Sequence, residues 1–185
     1  MTFKAAFSGA KNTYLHAVDV SGANSGWQAL GAWTVPSGTG TPSAVSVSPS
    51  SGTGVSQGFV LQYSDTAGAG NLQQVWVYFN ATLANPASSA CLLYYSAAAN
   101  QINLLSDNGT AWQAATMGSA TTLQNSQCSV NAATATVSSS GNTLTWSVPM
   151  TFKPAYAGAK NVYLHAVDVS GSNSGWQQLG AWTVP

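Results

Sequence analysis

The side chains from which a reactive centre could be built are few: four Asp, two His, four Lys and two Cys, with no Glu and no Arg among 185 residues. Hydrolysis of a glycosidic bond by paired carboxylates would require two of Asp65, Asp107 and Asp168 to converge on one point. A triad built on His165 needs an orienting acid beside it. The nearest acid, Asp168, is three residues on, and in a strand that spacing sends the two side chains to opposite faces. The inventory therefore points away from an enzyme, and no catalytic residue is assigned. His165 reads as a surface or edge histidine.

A cation site asks less of the same residues. Asp65 falls in a loop after one extended segment, and Asp168 at the end of a later one. Ca²⁺ accepts about six to eight oxygens, carbonyl and amide oxygens among them. Asp65, Asp168, Asn71 and Asn173 are therefore the candidate metal ligands, and calcium the candidate cofactor. The alternative is that both Asp residues only cap turns, which they do well without metal. Cys91 and Cys128 are the only cysteines. Their spacing matches no tight metal motif, so a disulfide is expected, with two buried free thiols as the alternative.

The segments that must position these residues are short, alternating and rich in Val, Thr, Tyr and Trp. Strands are expected at 44–48, 58–64, 72–79, 91–96, 101–105, 129–139, 142–148, 161–169 and 176–184. No stretch carries helical periodicity. Asp107-Asn108-Gly109 and Ser140-Gly141-Asn142 hold residues that tolerate positive φ, and each is expected to close a hairpin. The expected class is all-β, a two-sheet antiparallel sandwich.

Residues 1–36 return as residues 150–185 at a constant offset of 149, with 30 of 36 positions identical. Met1 aligns with Met150, which lies mid-chain, so the chain is expected to be a window on a tandem array of such modules. Residues 1–36 would then be the final hairpin of a preceding repeat. Residues 37–42, small and polar and ending in Pro42, would be a joint, and residues 43–185 one complete module.

The run from Gly158 to Asn173, GAKNVYLHAVDVSGSN, resembles the end of bacterial immunoglobulin-like surface domains, in which an alternating strand leads through an Asp-x-x-Gly-Asn turn to a final strand. One extra residue here separates Gly171 from Asn173. Val47-Ser48-Pro49-Ser50-Ser51-Gly52 and Tyr63-Ser64-Asp65 resemble the front of such domains. The resemblance covers most of residues 43–185 and implies an extracellular, non-catalytic spacer or adhesive module of tandemly repeated immunoglobulin-like sandwiches. In that topology the Asp65 and Asp168 loops share the pole where the chain arrives from the preceding module.

Composition bounds the partners. Only 4% of residues are charged and the formal net charge is zero, so nothing supplies the phosphate attraction that nucleic-acid binding needs. No run of apolar residues is long enough for a membrane span. With 45% hydrophobic residues the chain has ample material for a core. Solubility must come from neutral groups such as its Ser and Thr, or from glycans at the sequons Asn80-Ala81-Thr82 and Asn108-Gly109-Thr110. Alternation also places Trp76, Tyr78, Tyr163 and His165 opposite the aliphatic face of their strands, as an outer strip that could bind sugar or a neighbouring module; the alternative is that extra loops or glycans cover the strip. The expected function is a structural module of an extracellular fibre or stalk whose partners are copies of itself, joined head to tail or, as a variation, by residues 1–36 completing the sandwich of a separate subunit. The alternatives are a carbohydrate-binding or adhesin module at the cell surface, and an accessory domain of a large secreted enzyme.

Overall fold

The computed structural model describes residues 3, 7–35, 40–83 and 88–185. The start of the expected joint, residues 37–39, lies outside these. Among the described residues there are fifteen strands: β1 (Gly9–Leu15), β2 (Gln28–Val35), β3 (Pro42–Ser48), β4 (Ser51–Thr53), β5 (Ser56–Asp65), β6 (Leu72–Asn80), β7 (Cys91–Ser96), β8 (Gln101–Leu105), β9 (Trp112–Thr116), β10 (Thr122–Gln124), β11 (Cys128–Asn131), β12 (Thr136–Ser140), β13 (Thr143–Phe152), β14 (Gly158–Asp168) and β15 (Gln177–Val184). The protein is all-β.

From β3 onward the strands form two sheets. The first runs β10-β11-β13-β5-β3, with β12 also on β13, and the second runs β4-β15-β14-β6-β7-β8-β9. All ladders are antiparallel except β15 with β4. Period-two alternation decides which residues lie between the sheets. Phe59, Leu61 and Tyr63 of β5 and Leu144, Trp146, Val148 and Met150 of β13 face Val75, Val77 and Phe79 of β6 and Val162, Leu164 and Ala166 of β14, all buried in one cluster. Burying each large side chain of this kind contributes about 1.5–3 kcal/mol. Cys91 of β7 and Cys128 of β11 form a disulfide, Cα to Cα 5.8 Å, that staples one sheet to the other.

The two turns read from the sequence close the β8–β9 and β12–β13 hairpins. The segment expected as one strand at 129–139 is two, β11 and β12, parted by a turn in which Ala132 and Ala135 are buried. Strands β4, β9 and β10 were not expected; β4 and β10 have three residues each, too short to show alternation.

The ends of the sandwich are fixed by register. Pro42 pairs with Asp65, and Leu72 pairs with Asp168, so the chain enters at the pole that holds both aspartates. Val184 pairs with Gly158, ten residues back along β14, so the chain leaves at the other pole. At about 3.3 Å per residue those two levels lie about 33 Å apart. Among the described residues, strands β1 and β2 pair only with each other and share no ladder with the sandwich.

Candidate functional site

Asp65 continues the inward row Phe59, Leu61, Tyr63, and Asp168 continues the inward row Val162, Leu164, Ala166. Both are fully buried, one from each sheet, at the pole where the chain enters. Asp65 Oδ1 accepts the Ala67 N–H at 2.7 Å. Asp168 Oδ1 accepts the Ser170 N–H, the Ser170 hydroxyl and the Ser172 N–H at 2.8, 2.6 and 2.9 Å, which fixes the turn into β15. Among the described residues, the second oxygen of each carboxylate, Oδ2, is buried without a hydrogen-bond partner, as is Asn71 Nδ2. The Val169 N–H donates to the Asn71 carbonyl at 3.0 Å, tying the two loops together. Gly40, at the end of the joint, approaches so closely that a Cβ there would stand 1.8 Å from Asp65 Oδ1. Of the four candidate metal ligands, Asp65, Asn71 and Asp168 therefore come to one pole. Asn173 stands exposed in the loop beyond, its side-chain oxygen accepting the Gly175 N–H at 3.0 Å. Among the described residues no group of three or more His, Cys, Asp or Glu gathers at one point. A cation here would rest on two carboxylates and on amide and carbonyl oxygens.

The outer face of the larger sheet is aromatic. His165 of β14 pairs with Trp76 of β6, Trp76 with Tyr94 of β7, and Tyr163 with Tyr78. Tyr94 stacks on Trp76 at 4.4 Å between ring centroids, and Trp112 of β9 meets Tyr94 edge-on at 4.8 Å. Trp176, from the β14–β15 loop, folds back to stack on His165 at 5.1 Å and to meet Tyr78 at 5.9 Å. This corrects the expected strip. Tyr78 and Tyr163 are 1% and 8% exposed, buried with Ala90, Leu92 and Leu105 in a second small core beneath Trp176. Trp76 and His165 stay half-buried, and Trp112, 38% exposed, is the ring most open to solvent. Alternation along β7 could have signalled Tyr94. Trp112 lies on a strand the sequence did not announce, and Trp176 reaches the face from a loop.

The sequons differ. Asn80 is half-buried and its Nδ2 donates to the Tyr78 hydroxyl at 2.7 Å. Asn108, at the tip of the β8–β9 hairpin, is exposed, with Oδ1 accepting the Ser106 hydroxyl at 2.8 Å and the Thr110 N–H at 3.0 Å. Burial pushes the Tyr63 and Tyr156 hydroxyls well above the ordinary tyrosine range. Tyr156 donates to the Phe79 carbonyl and accepts the Cys91 N–H at 3.3 Å.

The β1–β2 hairpin reproduces the β14–β15 hairpin in detail. Both carry a bulge at equivalent positions, Thr13/Tyr14 and Val162/Tyr163. The Asp19 turn repeats the Asp168 turn, with the Ser21 N–H, the Ser21 hydroxyl and the Ala23 N–H on Asp19 Oδ1, and these bonds lower its pKa. His16 stacks on Trp27 at 5.1 Å, as His165 does on Trp176. The surroundings differ completely. Trp33 is 62% exposed where Trp182 is 5%, Leu15 52% where Leu164 is 0%, and Tyr14 53% where Tyr163 is 8%.

No protein-family model, curated protein or solved structure matches the chain. No helix among the described residues is long and apolar enough to cross a membrane.

Proposed function

We propose that this chain is part of an extracellular fibre or stalk built from tandem immunoglobulin-like β-sandwich modules. The observation that carries the reading is the β1–β2 hairpin, which copies β14–β15 in sequence and local geometry while leaving exposed the apolar side chains that β14–β15 buries. A hairpin with that face belongs on a sandwich body like residues 43–149. The positions of Pro42 and Val184 at opposite poles also support it, because modules joined through those ends extend in a line. Repeated equivalent joints generate a regular filament. At each joint the buried Oδ2 atoms of Asp65 and Asp168 favour Ca²⁺ as a stiffener, beside the docked end of the linker at Gly40. Asn108 is the favoured glycan acceptor, since its side chain is exposed at a hairpin tip whereas the Asn80 amide is engaged.

The deciding experiment is the mass of the native protein after reduction and deglycosylation on a denaturing gel. A mass many times that of one module supports the covalent array. A band near 18.9 kDa, the mass of this chain, overturns it.

A second reading, a carbohydrate-binding module, is favoured by the Trp76–Tyr94–Trp112 cluster, because exposed indole rings stack on sugar rings. Titration with soluble oligosaccharides should then show binding that Trp112→Ala removes. No binding to a broad oligosaccharide panel sinks this second reading.

A further inference from the structure

Resting on the array reading, the two hairpins raise a problem of sorting: 30 of 36 residues are identical, so either could in principle close a given body. We propose that residues 7 and 13, against 156 and 162, make the body formed by residues 43–149 select the 150–185 hairpin, and that the 1–36 hairpin can enter this slot only on a second copy of the chain.

The selection follows from what the differing side chains touch. Val162 is 1% exposed in the main core, and its counterpart is Thr13. Seating Thr13 there would bury a hydroxyl among aliphatic groups, which is unfavourable without a hydrogen-bond partner. Tyr156 is 5% exposed and its hydroxyl serves both the Phe79 carbonyl and the Cys91 N–H. Its counterpart Phe7 has no hydroxyl and would give up both of these bonds. One local contact is shared by the two hairpins. Lys160 donates to the Ala157 carbonyl at 3.0 Å and lies over the Tyr156 ring, and Lys11 does the same with the Ser8 carbonyl and Phe7. Selection thus rests on removing favourable contacts for the wrong hairpin, not on a different shape.

Reach decides between the same chain and another. Seated in the slot, Val35 would stand where Val184 stands, about 33 Å along the strand direction from the level of Pro42. Seven residue steps separate Val35 from Pro42 and span at most about 25 Å. The hairpin cannot close its own body. The Cys91–Cys128 bridge lies wholly within the 43–149 body, so that body stays stapled while a hairpin exchanges.

The test uses the full chain with its own hairpin weakened by W182A/Y156F/V162T, carrying either the native first hairpin or F7Y/T13V. Hydrogen–deuterium exchange resolves the two hairpins because Ala29 and Gln178 give peptides of different mass. With F7Y/T13V, residues 28–35 should gain at least tenfold protection, residues 177–184 should lose theirs, and sedimentation should show species larger than a monomer that grow with concentration. The native first hairpin should show at least tenfold less protection. Equal protection at 28–35 in the two forms overturns the proposal, as does protection in a strict monomer. A body unprotected at residues 59–63 in both forms overturns it as well, because the matched hairpin should have rescued it. A native protein of high mass combined with no exchange would leave the array standing and remove only this inference.

Discussion

Trp182→Ala and Trp33→Ala remove the same side chain from two copies of the same local sequence, LGAWTVP, yet the structure predicts opposite outcomes. Trp182 is 5% exposed, meets Phe59 edge-on at 5.2 Å and donates its indole N–H to the Gly54 carbonyl at 2.8 Å. A Cβ on Gly52 would stand 2.3 Å from the Trp182 ring, so the indole lies directly on the backbone of β4. Removing it opens a cavity, leaves a carbonyl without its donor and loosens β4, a loss of about 3–5 kcal/mol. Trp33 is 62% exposed and has no such cover, so its loss should cost about 0.5 kcal/mol or less. With a urea m-value of about 2 kcal/mol/M, the first variant should lower the unfolding midpoint by about 2 M and the second by about 0.3 M or less. Far-UV circular dichroism in urea, on oxidised protein, reads both. Equal shifts would mean that the first hairpin is packed against a body in this chain, and would refute the contrast in burial on which the array reading depends.

Other consequences can be checked with the same protein. Replacing Cys91 and Cys128 by Ser opens a loop closed at a sequence separation of 37, and the chain-entropy relation gives a loss of about 4 kcal/mol, readable as a lower urea midpoint. A loss below about 1 kcal/mol would show that the bridge does not restrain the unfolded chain. Ca²⁺ at a hundredfold excess over its dissociation constant should add about 2.7 kcal/mol and raise Tm by roughly 5–10 °C. D65N/D168N should abolish that shift, and an unchanged wild-type Tm would remove calcium from the joint. Raised hydroxyl pKa values at Tyr63 and Tyr156 mean that the unfolded chain gives up these protons first. Their contribution is constant below about pH 10 and falls as pH rises beyond it, so stability should drop steeply on the alkaline side and Y156F should flatten that drop. A flat profile to pH 11.5 would contradict it.

Alternation exposed most of the sandwich in the sequence because its long strands each have one buried face. Val75, Val77 and Phe79, and Val162, Leu164 and Ala166, were legible as core for that reason. The same rule put Tyr78 and Tyr163 on the outer face but left their burial open, since it tells inner from outer face but not whether a loop returns to cover the outer one. Trp176 does so from a segment with no period of its own. The aspartate pole was legible because carboxylates are so scarce here. That each would bury one oxygen without a partner was not, because it depends on how the Gly40 backbone and the Asn71 loop close over them. Asn173 shares the loop but spends its oxygen locally, a choice set by the turn geometry rather than by residue type.

The opposite placement of Pro42 and Val184 also has a mechanical meaning. A pull along a line of such modules draws on β3 from one pole and on β15 from the other, in each case along the strand axis. The β3–β5 ladder, and the pairing of β15 with β14 and β4, would then be sheared with many hydrogen bonds strained together rather than peeled one at a time. Tension would have to break whole ladders at once, and the Cys91–Cys128 bond would hold the rest of the sandwich together after they yield.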